Sequence, residues 1–400
     1  MARSRSQSAP RMTRDATRLV ALAQALSRSG SRVEDVFWEN QLGEAIPKLL
    51  KAGQDAPLEA ALDHLAQNDI GAYEVLIEQA ETLSESMKIE KNGVRHDVLL
   101  IVAPIVAWTR YAIPTGPVSA SAQQALLAQL HGHVLSSKAR TALMPMLVSV
   151  DQMPRTFSET WHWLQRLGTQ ALGEESTKPT LNTETETANM LADTRYIIGA
   201  VAVPENEPIF RWQEQVSEAD ASRDACQEQF AAQAQPTLAA LLPGCGFEAL
   251  LPDAYYVSNR EADRRVRPLS LRAAISWLEG AVSLEPSQLR AVIAGCGESR
   301  IDEFRISFTA RSSNDVYYGC VWPVYGREEE QPSEEGQPDV VDEIAALLKE
   351  YGVTEVRRIP GVLPAEYCED CGAPYFPNPL GELVHAELPE DAEAAPAKFH

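Results

Sequence analysis

The chain has 400 residues, with 35 Lys+Arg against 57 Asp+Glu and a formal net charge of −22. Its 44% apolar and 23% charged residues are those of a globular protein, which excludes a disordered chain, a collagen and a disulfide scaffold. The acidic balance repels phosphate backbones, so nucleic acid is disfavoured as a partner unless a local basic segment makes the contact.

Residues 1–14 are rich in Ser and Arg and read as a disordered basic arm. The apolar stretch Leu19 to Leu26 holds Gln24, so it reads as one face of a helix and not as a signal peptide. The longest apolar run, Val98 to Trp108, contains Pro104 and is too short for a bilayer, which needs about 20 residues. No membrane is expected. Six cysteines are too few for a disulfide-built secreted protein, and the cytoplasm is the expected compartment.

Residues 15–90 read as a helical domain. Asp55-Ala56-Pro57 opens one helix, with Leu58, Ala61, Leu62 and Leu65 as its apolar face, and Gly53 closes the helix before it. Tyr73, Leu76, Ile77, Ala80, Leu83 and Met87 follow a helical period in the next.

Beyond residue 90, strand-like runs alternate with helices. Three of these runs end in proline: Leu100 to Pro104, Ala200 to Pro204 and Cys320 to Pro323. Each precedes a helix-like segment and then a second proline motif, at Pro145, Pro252 and Pro364. We read three strand–helix–strand repeat units, over 91–172, 189–282 and 283–388. A helix between strands favours right-handed crossovers and a helix-covered sheet, with the prolines ending strands or sitting where no ladder bond is needed. The fold class is therefore mixed α/β (α+β), a helical domain followed by three repeats. A polar linker at 173–188 separates units one and two, an acidic loop lies at 327–339, and 389–400 reads as a frayed tail. Unit three adds a hairpin, with Phe304, Ile306 and Phe308 alternating with Arg305, Ser307 and Thr309. Its turn is Ser312 to Asp315, and the return strand carries Val316, Tyr318, Cys320 and Trp322 on one face.

The sharpest chemical motif is Cys368-Glu369-Asp370-Cys371-Gly372, inside a zinc-knuckle-like segment at 366–387. Helix-breaking Pro374, Pro377 and Pro379 and the acids between the thiols argue against a thioredoxin-type redox pair. A knuckle fits better, because the turn lets two sulfurs converge on one ion. His385 is the candidate third ligand and Cys320 the fourth, with Glu382, Glu387 and His400 behind them. A structural zinc is thus the candidate cofactor. Two unligated structural thiols remain the competing reading.

Gly244-Cys245-Gly246 and Gly295-Cys296-Gly297 read as turn cysteines, and His131, His64 and His162 as helix residues. Arg264, Arg265 and Arg267, within a run from Arg260 to Arg272, are the candidate ligand-binding residues for a small anion; pairing with the chain's own acids is the alternative. Phosphate-loop, dinucleotide, zincin and nucleophile-elbow signatures are absent from the sequence.

Three functions compete. The first is a non-catalytic binding or regulatory protein with a structural zinc knuckle, its partner a protein or a small anionic ligand. The second is an enzyme acting on an anionic small molecule at a junction between repeats. The third is a nucleic-acid-associated factor using the basic arm.

The start Ser29-Gly30-Ser31-Arg32-Val33-Glu34-Asp35-Val36-Phe37-Trp38-Glu39 and the ending CEDCGAPYFPNPLGELVHAELPED resemble an uncharacterised bacterial family of unknown function, over nearly the whole chain. The resemblance implies a bacterial, soluble, cytoplasmic protein. It implies no activity, substrate or catalytic residue.

Overall fold

The computed structural model describes residues 12–177, 179, 181, 191–214, 221–297, 301–324, 339–389 and 392. Most of the basic arm, the linker, the acidic loop and the tail read from the sequence lie outside the described residues.

Four helices come first: Arg14–Ser27 (α1), Arg32–Ala52 (α2), Ala56–Asn68 (α3) and Ile70–Glu85 (α4). Side chains of Thr13, Ser31 and Asp69 accept backbone N–H bonds in the first turns of α1, α2 and α4. Pro57 sits in the first turn of α3, and Gly53 caps α2, both as the sequence suggests. Leu19, Leu42, Ile46, Leu50, Leu58, Leu65 and Leu76 fill the bundle core.

The helical period read through Met87 overruns by two residues. The chain leaves α4 at Glu85 and enters Ser86–Lys91 (β1), where Met87 pairs with Val98. Asn92 and Gly93, with φ of 53° and 75°, turn β1 into Val94–Trp108 (β2). Positive φ at both turn residues is what a tight hairpin requires, and Asn-Gly supplies it.

The next elements are Gly116–Pro117 (β3), Ala120–His133 (α5), Arg140–Leu143 (β4), Met146–Ser149 (β5) and Phe157–Ala171 (α6). Then follow Ala192–Pro204 (β6), Arg211–Glu214 (α7), Arg223–Leu241 (α8), Gly246–Ala249 (β7), Asp253–Ala254 (β8) and Tyr255–Ala281 (α9). The strands β1 to β8 form one sheet centred on the antiparallel pair β2–β6. The first two units are interleaved within it. The short strands β4 and β5 that follow β2 pair with β6, whereas β7 and β8, which follow β6, pair with β2.

This corrects the expected crossovers: every pairing in this sheet is antiparallel. Pro104 lies inside β2 opposite Tyr196 and does not end the strand. Its carbonyl accepts from Leu250 N–H in the gap between β7 and β8. The ring therefore occupies the one stretch of that edge where the β2 ladder is interrupted. Met144 N–H bonds Ile198 in the equivalent gap between β4 and β5. Leu126, Leu130, Phe230 and Leu238 from α5 and α8 cover one face of the sheet. Trp163, Leu164, Leu167, Tyr255 and Ala262 from α6 and α9 cover the other. Strands buried on both faces read as continuous apolar runs, which is the texture of β2 and β6.

The second sheet has the order β11-β10-β9-β12, from Leu289–Cys296 (β9), Glu303–Ala310 (β10), Tyr318–Pro323 (β11) and Glu355–Leu363 (β12). The hairpin forms as read, except that its return strand starts at Tyr318 and leaves Val316 in the loop; Ile306 lies opposite Cys320 and Phe304 opposite Trp322. Among the described residues a single parallel pairing, β12 on β9, follows the crossover helix Val340–Glu350 (α10). The distal half of α9 and α10 pack on one face through Leu271, Ile275, Leu278, Ile344 and Leu348. Residues 366–377 lie across the other face, where the carbonyls of Glu366, Tyr375 and Pro377 accept from Arg305 and Ser307. The chain is thus a mixed α/β fold.

Candidate metal centre

Past β12 the chain makes a narrow turn. Cys368 N–H donates to the Ala373 carbonyl at 2.8 Å and Gly372 N–H to the Cys368 carbonyl at 2.9 Å. Gly372 has φ of 69°, which a side chain would oppose. Backbone N–H groups of Cys371 and Asp370, together with the Tyr375 hydroxyl, point at Cys368 Sγ and hold its thiol below the ordinary range. Donors converging on one sulfur favour the thiolate, the form that ligates metal.

A second small hairpin returns the third residue. Phe376–Pro377 (β13) pairs with Leu383–Val384 (β14). Asn378 Oδ1 fixes the turn between them by accepting from the N–H groups of Leu380 and Glu382, at 2.8 and 3.0 Å. His385 follows directly, and its Nε2 lies 3.2 Å from Cys371 Sγ. Ligand atoms of Cys368, Cys371 and His385 all lie within 4.8 Å of one another. The structure therefore brings together three of the four residues singled out from the sequence.

Cys320 is the correction. It is fully buried on the opposite face of the sheet, opposite Ile306, and its Sγ contacts the Ser270 carbonyl of α9 at 3.5 Å. Burial pushes its thiol up to about 12. The alternation along β11 places it in the core, with the thickness of the sheet between its face and the one that Arg305 and Ser307 present to the knuckle. Among the weaker candidates, Glu382 is bound to Asn378 Nδ2, and His400 lies outside the described residues. Glu387 places Oε1 3.8 Å from His385 Nδ1. That Nδ1 is buried and has no hydrogen-bond partner among the described residues. A histidine that ligates through Nε2 commonly directs its other nitrogen to a carboxylate, and Glu387 stands in that position. Two thiols and one imidazole are the donor set of a zinc or similar thiophilic ion, so the residues fit the metal.

The knuckle rests on a post that sequence reading missed. Arg305, wholly buried on β10, donates from Nη1 to the carbonyls of Glu366 and Tyr375, each at 2.6 Å. These carbonyls flank the Cys turn on its two sides. The guanidinium also pairs with Glu303 at 2.7 Å and lies 4.9 Å from the Tyr367 ring centroid. Beside it, Ser307 donates to the Pro377 carbonyl. Close contact is also written at Gly319, where an added Cβ would stand 2.3 Å from the Phe376 ring. Gly319→Ala is expected to destabilise the second sheet by about 1–3 kcal/mol through overpacking, measured by denaturation. A loss below about 0.5 kcal/mol would show that Phe376 yields at little cost.

The candidate anion residues do not converge. Arg264 is paired with Glu261 at 3.7 Å and Arg265 with Glu248 at 2.8 Å. Arg267 is buried over the Trp322 ring, and Arg260 clasps Glu81. They point around α9 and pair with neighbours. Cys296 is buried, which pushes its thiol up to about 11, and Cys245 is also raised by burial. Neither is set up as a nucleophile.

The described residues thus define a mixed α/β protein with a Cys-Cys-His cluster able to hold a metal. Residues 4–399 match the model of a family described as "Protein of unknown function (DUF2863)", and the chain belongs to that family. Comparison with curated proteins and with solved structures gives no match. No helix among the described residues is long and apolar enough to cross a membrane.

Proposed function

We propose that this is a non-catalytic binding or regulatory protein of the cytoplasm whose C-terminal knuckle carries a structural zinc ion. The observation that carries the metal is the convergence of Cys368, Cys371 and His385 within 4.8 Å. Cys368, Cys371 and His385 would ligate the ion, with the Glu387 carboxylate 3.8 Å from the other ring nitrogen of His385. Bound there, the ion would tie the Cys turn to the β13–β14 hairpin and so hold residues 364–388 against the second sheet. Six free cysteines suit a reducing compartment. The arrangement of the α9 arginines gives the anionic-substrate reading no support.

The test is metal content by mass spectrometry on untagged protein prepared without chelator, beside the double variant Cys368→Ser, Cys371→Ser. About one zinc per chain is expected in the parent and almost none in the variant. The variant should also lose protease resistance across 364–388. Cobalt exchanged for zinc should give thiolate-to-metal charge-transfer absorption that His385→Ala weakens. Metal-free parent protein that takes up no cobalt would overturn the proposal and leave two unligated thiols.

A further inference from the structure

A cavity of about 1030 Å³ opens where the helical bundle meets the large sheet, far from the knuckle in the fold. Its apolar wall comes from Leu83 on α4, Met87 on β1, Leu99 on β2, Trp161 on α6 and Ile209 beyond β6. Its volume is at the upper end for small-molecule sites, which run to about 1,000 Å³.

The α2 side of the cavity is unusual helix. Gly43 and Pro47 both line it, four residues apart inside the helix. Proline has no N–H, so the helical bond from residue 47 to the Gly43 carbonyl is missing. A glycine inside a helix also costs about 1 kcal/mol relative to alanine. Packing does not require that glycine, since a Cβ built on it would meet nothing within 4 Å. Its backbone φ is not in the left-handed region either. What the pair provides is open space on the cavity wall.

The polar rim selects a charge. Lys88, Asp97 and Glu207 line the opening, with Glu205 beside them. Lys88 bridges Asp97 at 3.3 Å and Glu205 at 2.6 Å, and Lys138 meets Glu207 at 2.6 Å. Three carboxylates thus face two ammoniums. The lysine side chains are 58% and 54% exposed, whereas the carboxylates are 30–35% exposed. The cations are the parts that can swing away, leaving acceptors behind. The net charge of −22 further enriches cations at the surface. Trp161 adds aromatic surface to the apolar wall.

We infer that this cavity binds a small amphipathic organic cation, its apolar body against Leu83, Met87, Leu99 and Trp161 and its protonated amine at the Asp97–Glu207 rim. The inference does not depend on the metal and goes beyond the binding role proposed above by naming a site and a ligand class.

The test uses full-length protein and tryptamine as the probe, with indole-3-propionate as its anionic counterpart, both titrated by calorimetry. Tryptamine should bind saturably and at least about tenfold more tightly than the anion, a difference of about 1.4 kcal/mol. Gly43→Leu places a side chain in the empty space and improves helix propensity, so it should keep or raise Tm while weakening tryptamine at least about tenfold. Glu207→Gln should narrow the preference for cation over anion without changing Tm. Absence of saturable tryptamine binding, equal binding by Gly43→Leu, or equal affinity for the anion would each overturn the inference. Should Gly43→Leu lower Tm, the Glu207→Gln result decides.

Discussion

Replacing Arg305 with Met should destabilise the second sheet by about 3–5 kcal/mol, the cost of breaking a buried ion pair from one side. The side chain of Glu303 is only 16% exposed and would lose its cation. The carbonyls of Glu366 and Tyr375 would lose a shared charged donor. The damage should be local. Hydrogen exchange should quicken in β9, β10 and β11, and protease should cut within 364–388, while β2 and β6 stay protected. Metal uptake by the knuckle should weaken too, because the two carbonyls that Arg305 holds are the struts on which the Cys turn stands. Arg305→Lys keeps the charge, but one ammonium on a flexible stem cannot reproduce the planar fork, so an intermediate loss is expected. A loss below about 1 kcal/mol in Arg305→Met would mean that the segment holds itself in place without the guanidinium.

Arg305 also shows where sequence reasoning reaches its limit. The alternation of Phe304, Ile306 and Phe308 with Arg305, Ser307 and Thr309 announced the hairpin. The structure buries both faces, because residues 364–388 return from sixty residues downstream to cover Arg305 and Ser307. Alternation records side-chain chemistry, and nothing in it reveals a later segment that brings matching carbonyls. The metal ligands were more legible. Cys368, Cys371 and His385 lie close in sequence, and the Gly and Pro residues between them announce turns. Cys320 failed as a ligand for the reason that made it visible: it belongs to the apolar side of its strand.

The large sheet was legible as helix-covered and apolar, but its pairing was not. Proline appeared to end β2 because a ladder normally excludes it. The gap between β7 and β8 that admits Pro104 is created by a segment some 145 residues later. Likewise, Asn92-Gly93 is a hairpin signal, yet the helical period through Met87 masked it. The cavity had a faint signal, a Gly and a Pro four residues apart in a helical stretch, which becomes informative only once both are seen to face open space.

Glu85→Gln should stabilise the protein at pH 8, by up to about 3 kcal/mol, and leave it nearly unchanged near pH 4.5. Glu85 ends α4 and accepts the N–H of Tyr256 in the first turn of α9, at 2.9 Å. The capping is supplied by another helix because Ala254 at the α9 N-cap has no side-chain acceptor. Burial raises the Glu85 carboxyl to about 7 from 4.5; Glu81 and Asp253 add to the rise, while the Tyr256 N–H and Arg260 oppose it. A carboxyl whose folded pKa is raised binds its proton more tightly in the folded state. Its contribution is therefore fully present below about 4.5, and is lost as pH climbs through about 7. Glutamine keeps the accepting oxygen and removes the charge, so the penalty disappears. The measurement is chemical denaturation of parent and variant from pH 4.5 to 8, read as the difference between them so that other titrating groups cancel. That difference should grow with pH and level off above about 7. A difference that stays flat, or a variant less stable at pH 8, would mean that the carboxylate is ionised at little cost. In that case Arg260 and the α9 N-terminus outweigh burial at this junction of α4 and α9.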